Sequence, residues 1–221
     1  KKVLKDFPQS KFRSDAILLM AKAQYYRSDY DLALENLREI EQIGSEKQIE
    51  EAYYWKALCK WKKGNLQVSM DELYSLLSNS SSKSILSKCH LSLAEISKEL
   101  SYQDSSLYHL KKAARFTKER DEKGVIYGRL AEMAFELNQY DIAKDGYSNV
   151  IAHSLAKEKI EHAHLQILKI LRIQKEYRLA SRKIKALLSD DKFKRISGNL
   201  ELELVNLYRA EGEDDEIENR L

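Results

Sequence analysis

The stretch Leu19-Met20-Ala21-Lys22-Ala23-Gln24-Tyr25-Tyr26-Arg27-Ser28-Asp29-Tyr30-Asp31-Leu32-Ala33-Leu34 returns, altered, as Leu130-Ala131 through Asn138-Gln139-Tyr140-Asp141-Ile142-Ala143. In each copy a small residue is followed about a dozen positions later by a second small residue. The first of each pair is Ala21, Ala57, Ala94 or Ala131, with Leu168 in the fifth copy; the second is Ala33, Ser69, Ser106, Ala143 or Ala180. Four residues beyond each second member stands a larger side chain: Leu37, Leu73, Leu110, Tyr147 and Ile184. The period is about 37 residues. A repeat of that length marks an architecture in which no unit buries its own apolar face and neighbours must stack.

Within a copy the apolar positions follow helical spacing, as in Tyr30, Ala33, Leu34, Leu37 and Ile40. The breaks between helices fall at Ser28-Asp29, Gly64-Asn65, Asn138-Gln139 and Lys175-Glu176. Gly and Asn tolerate the left-handed conformation that ends a helix, and Asp29 and Asn65 stand where they would cap the next one. Small residues facing each other let two helix backbones approach closely. The spacing therefore predicts an all-α protein of antiparallel helix pairs. One proline and seven glycines in 221 residues argue against a turn-rich β protein.

The pattern resembles the tetratricopeptide repeat family, which implies a right-handed α-solenoid and a protein-binding function. Asn65-Leu66 and Glu176-Tyr177-Arg178-Leu179-Ala180 are weaker echoes of the same motif. The family's early Trp is missing, and Gln24, Lys60 and Ser97 replace its usual Tyr. A period longer than the family's implies extended second helices or longer loops. The expected organisation is a tail helix of a preceding repeat over 1–13, five helix pairs over 14–197, and a further first helix with the start of its partner over 198–221. Val3 and Leu4, with nothing upstream to cover them, suggest a piece of a longer protein.

The resemblance places the binding wall on the first helices. The candidate partner-binding residues are Lys22, Tyr25, Tyr26, Tyr54, Trp55, Leu58, Trp61, Glu95, Glu132, Phe135, Lys169 and Arg172, with Leu18, Leu91 and Leu165 also expected to point outward. Tyr and Trp enrich binding surfaces because they bury large areas with few rotors. Packing against neighbouring helices is the competing account of Trp55 and Trp61. Chaperone-tail binding by family members needs a basic carboxylate clamp. Here Lys22 is the sole basic residue among Leu18, Lys22, Glu51, Tyr54 and Trp55, so that ligand is not expected.

Other chemistry has thin support. The net charge of +3 is too small to imply nucleic acid. The basic run from Lys157 to Arg195 spreads over several helix faces with few interleaved aromatics, so a solvated surface is favoured over a nucleic-acid site. No run of about 18 apolar residues would span a membrane. His162 and His164 are two apart and face different sides of a helix, and no metal-ligand spacing occurs. Cys59 and Cys89 are expected as free thiols. No cofactor fingerprint or nucleophile motif is present, so an enzyme is not expected. The partner is expected to be a protein or peptide, and exposed solenoid ends would also let two copies pair. Asp6-Phe7-Pro8-Gln9-Ser10-Lys11-Phe12 with the first unit resembles bacterial envelope members of the family, which leans localisation to the periplasm or outer-membrane periphery, with the cytoplasm as alternative. The alternative function is a regulatory or sensor module of a larger signalling protein.

Overall fold

The structure is a computed structural model that describes residues 10–212. The proposed tail of a preceding repeat lies mostly outside these residues, as does the acidic segment after Gly212. Among the described residues every regular element is helical. The chain divides between Thr117 and Lys118 into two compact units.

The first unit holds α1 (Arg13–Tyr26), α2 (Tyr30–Ile43), α3 (Glu46–Lys62), α4 (Leu66–Asn79), α5 (Lys83–Glu99) and α6 (Gln103–Phe116). Each helix packs on the next, and α3 also touches α1 and α5. Second helices bury a single stripe, for example Ala33, Leu34, Leu37 and Ile40 on α2. First helices are covered on several sides: α3 buries Ala52, Tyr54, Trp55, Ala57, Leu58 and Cys59. They form the inner layer, between their own partner and the first helices before and after.

The paired small residues sit where the helices approach. Ala21, Ala33 and Ala57 are at most 1% exposed. In the third pair the Ser106 hydroxyl donates to the Ala94 carbonyl at 2.9 Å, which joins the two small positions directly. Polar groups bridge the same pairs beside these positions: Asn36 Nδ2 donates to Gln24 Oε1 at 2.6 Å, Lys60 pairs with Glu72, and Ser97 meets Ser105 at 3.0 Å.

The second unit holds α7 (Arg120–Glu136), α8 (Tyr140–His153), α9 (Lys157–Ile173), α10 (Tyr177–Leu188), a 3-10 helix (Asp191–Ile196) and α11 (Ser197–Glu211). Here α9 packs on α8, α10 and α11. Glu161 of α9 is buried and receives Arg195 Nε at 3.0 Å, which ties α9 to the 3-10 helix. At Gly146 an added Cβ would lie 2.8 Å from the Ala131 Cβ, so α7 and α8 touch almost backbone to backbone.

Every turn inside a pair has the same form. Ser28, Gly64, Ser101, Asn138 and Lys175 all have positive φ, between 58° and 86°. The next amide closes back onto the helix, as Asp29 N to the Gln24 carbonyl and Glu176 N to the Leu171 carbonyl. This is the double-bonded C-terminal stop in which a left-handed residue satisfies orphan carbonyls.

Two sequence expectations are corrected. Asp29 and Asn65 make no side-chain cap bond. Their ψ angles of 57° and 60° differ from the extended backbone that aims a capping side chain at the following amides. The long period does not come from second helices or loops. First helices from α3 to α9 have 17 residues, second helices 14 or fewer, and the connections about them two or three.

Candidate partner-binding face

At about 100° per residue, positions three before, one after and four after the leading small residue fall within about 60° of arc on a first helix. That face carries Leu18, Lys22 and Tyr25 on α1, Tyr54, Leu58 and Trp61 on α3, and Leu91, Glu95 and Lys98 on α5. On α7 and α9 it carries Gly128, Glu132, Phe135, Leu165, Lys169 and Arg172.

In the first unit the aromatics meet. The Trp55 ring lies edge-on to Tyr25 at 5.1 Å, Tyr26 at 5.8 Å and Tyr54 at 5.7 Å between centroids. The Lys22 ammonium sits 5.9 Å from the Trp55 ring centre and pairs with Glu51 at 2.7 Å, and Lys88 stands 3.8 Å from the same carboxylate. Burial pushes the Glu51 pKa up, but the Lys22 hydrogen bond and charge, with Lys88 beyond, outweigh it and hold the carboxyl below its usual value. The Tyr54 hydroxyl lies 3.1 Å from Ser92 Oγ, joining α3 to α5, and burial raises its pKa. Burial, with Tyr30 adding to it, pushes the Tyr25 hydroxyl up to about 12. The Trp61 indole N–H donates to Glu99 at 2.8 Å while Lys62 covers its ring at 3.7 Å.

The expectation that all these side chains point outward needs correction. Leu18, Tyr54, Trp55 and Leu58 are buried, each 9% exposed or less. Trp55 fills the seam between α1 and α3. Tyr26 stays at the surface, 76% exposed, with Lys22, Tyr25, Trp61 and Glu95 half-buried around it or further along.

In the second unit Glu132 and Lys169 are exposed and Phe135 and Arg172 half-buried. The Lys169 ammonium lies 4.9 Å over the Phe135 ring, whose edge contacts Tyr140 at 5.8 Å. Arg172 Nε donates to Glu203 on α11 at 2.7 Å. Between α7, α8 and α9 lies a half-open cavity of about 290 Å³ lined by Val125, Gly128, Tyr147, Val150 and His162 among others. It escaped the sequence reading, though aligning the repeats would have shown Gly128 where the other copies carry Leu18, Tyr54, Leu91 and Leu165.

The basic run of the fifth pair is partly neutralised inside its own unit: Arg172 by Glu203, Arg195 by Glu158 and Glu161, and Lys157 by Glu161. Among the described residues no group of three or more His, Cys, Asp or Glu could hold a metal ion, and no helix is long and apolar enough to cross a membrane. Cys59 and Cys89 are buried free thiols, and burial pushes their pKa values to about 11 and about 12. Sequence reading also missed a buried histidine pair: His90 Nδ1 lies 2.9 Å from His109 Nδ1, with Tyr74 Oη 3.2 Å from His109 Nε2.

No family model matches the chain, and no curated protein does. Solved structures do match. PilF of Pseudomonas aeruginosa is 15% identical with a TM-score of 0.54, over 94% of this chain and 88% of that one. The C-terminal part of a TPR repeat-containing protein from Cytophaga hutchinsonii is 13% identical with a TM-score of 0.56, over 89% and 72%. A tetratricopeptide repeat protein from Parabacteroides merdae is 16% identical with a TM-score of 0.52, over 94% and 77%. The fold is that of the tetratricopeptide repeat solenoids.

Proposed function

We propose that the chain is a protein-interaction scaffold that docks a segment of a partner protein on the exposed parts of its first-helix face. The observation that carries this is the continuity of one helical face from pair to pair within each unit, bearing aromatic and charged side chains at fixed register. Such a face is held by buried neighbours such as Trp55, so a partner meets a preorganised surface and little ordering cost arises on docking. A bacterial envelope assembly is the narrower form of this proposal. It rests on the sequence likeness of the first 40 or so residues, of which 1–9 lie outside the described structure.

The test is capture of partners on the immobilised chain, comparing wild type with Tyr26→Ala combined with Phe135→Ala and Lys169→Glu. Circular dichroism establishes that the variant is folded. A protein held stoichiometrically by wild type, and rebinding it when purified, should be lost by the folded variant. Equal capture by both, or none by either, would sink the proposal.

A further inference from the structure

Four glycines lie in the helices of the second unit, and they differ in what they do; Gly198, in the first turn of α11, has only open space about its added Cβ. At Gly146 a Cβ would collide with Ala131, and at Gly124 it would come within 2.9 Å of the Ser154 amide nitrogen. Both are glycine because backbones approach there. Gly128 has no such cause: its Cβ would meet only the Val150 Cγ2, at an ordinary 3.7 Å. It sits mid-helix in α7 without the positive φ that favours glycine. A glycine there weakens the helix for no packing return. Gly128 lines the cavity of about 290 Å³ between α7, α8 and α9, and a side chain there would enter it.

We infer that this cavity receives an aromatic side chain from the partner polypeptide, and so sets which segment the scaffold accepts. This rests on the interaction-scaffold proposal above and adds its chemistry. The other repeats supply their own Leu or Tyr at this register, so a bulky apolar group belongs at the place. The space favours a group larger than Leu. Its floor is the buried Tyr147 ring, met edge-on by His162 with centroids 6.2 Å apart, which offers an aromatic guest edge and face contacts. The rim carries both signs, Arg129 and Glu132 on α7 and Glu158 and Lys159 on α9. It therefore matches a peptide backbone flanked by polar residues of mixed charge. The half-open mouth admits a side chain still attached to its chain.

The experiment titrates the isotope-labelled chain with N-acetyl-tryptophanamide, N-acetyl-leucinamide, N-acetyl-alaninamide and free indole, read by amide chemical shifts. The tryptophan amide should shift Val125, Gly128, Val150 and His162 and bind about tenfold more tightly than the alanine amide. Gly128→Leu should remove that preference while raising the melting temperature; Gly128→Ala should weaken it with the fold intact. Equal binding of tryptophan and alanine amides, or shifts unaffected by Gly128→Leu, overturns the inference. Indole binding much more tightly than the amide would mark a small-molecule site and overturn it too. If the pocket fails these tests while a partner is still captured through Tyr26 and Phe135, the scaffold proposal stands without it; if capture fails as well, both fall.

Discussion

At the residue scale the four left-handed stops without glycine are the clearest points of strain. Ser28, Ser101 and Lys175 hold φ near 60°, where a Cβ crowds the following carbonyl. Lys175→Gly should stabilise the chain by about 0.5–1 kcal/mol, read as a higher urea midpoint, and Asn138→Gly by less because Asn tolerates that conformation. No gain at Lys175 would mean that glycine's freedom in the unfolded chain cancels the strain. Two α-helical glycines give an opposed pair. Gly146→Ala should cost about 1–3 kcal/mol through overpacking against Ala131, whereas Gly128→Ala should gain up to about 1 kcal/mol of helix propensity. The same contrast shows what sequence could reveal. Small residues at a fixed period disclosed the close helix contacts, because only steric demand repeats so strictly. The stop at Ser101 gave no signal, since a serine does not announce a left-handed backbone. Spacing groups these positions on one face of each first helix, yet it does not show how deep a face lies. Spacing thus places Tyr54 at the surface where the flanking α5 covers it, while Trp55 takes the packing account, against α1.

Among elements, the junction of α4, α5 and α6 holds a pH-sensitive contact. His90 and His109 share one short nitrogen–nitrogen bond, which requires one donor and one acceptor, so the accepting ring is neutral and the two cannot both be charged. Tyr74 faces His109 from α4, Phe116 stacks on His90 from α6, and Lys112 adds positive charge. Burial lowers both pKa values to about 4, and for His90 the charges of His109 and Lys112 push the same way. The unfolded chain therefore binds protons between its ordinary histidine value near 6.5 and about 4, while the folded chain does not. Stability is fully present above about 6.5 and falls as pH drops through that window, by on the order of a few kcal/mol for the pair. Urea unfolding at pH 7.5, 5.5 and 4.5 checks this. A His90→Gln, His109→Gln variant should show a flatter profile, and an unchanged profile would refute the assignment. Pairing of α3 with α5 has a smaller test: Tyr54→Phe should cost about 1 kcal/mol for the Ser92 hydrogen bond.

For the whole molecule, stacked pairs make stability a sum of local terms, not one all-or-none quantity. Leu37→Ala in α2 and Ile184→Ala in α10 each remove a side chain with no exposed surface, at a cost of about 2–5 kcal/mol. Hydrogen exchange should quicken around α1 to α3 for the first and around α9 to α11 for the second. Uniform acceleration across all described helices would show a single cooperative block instead. The fold class is the most legible part of the sequence, because repetition averages over weak local signals, whereas the Gly128 cavity depends on one departure from the repeat. Both cysteines lie in the first unit and none in the second. Sealed in α3 and α5 as protonated thiols, Cys59 and Cys89 are inert until their helices part. Alkylation of the unmodified chain is thus a stopwatch for one half alone: it times each opening of the first unit and keeps silent about the second.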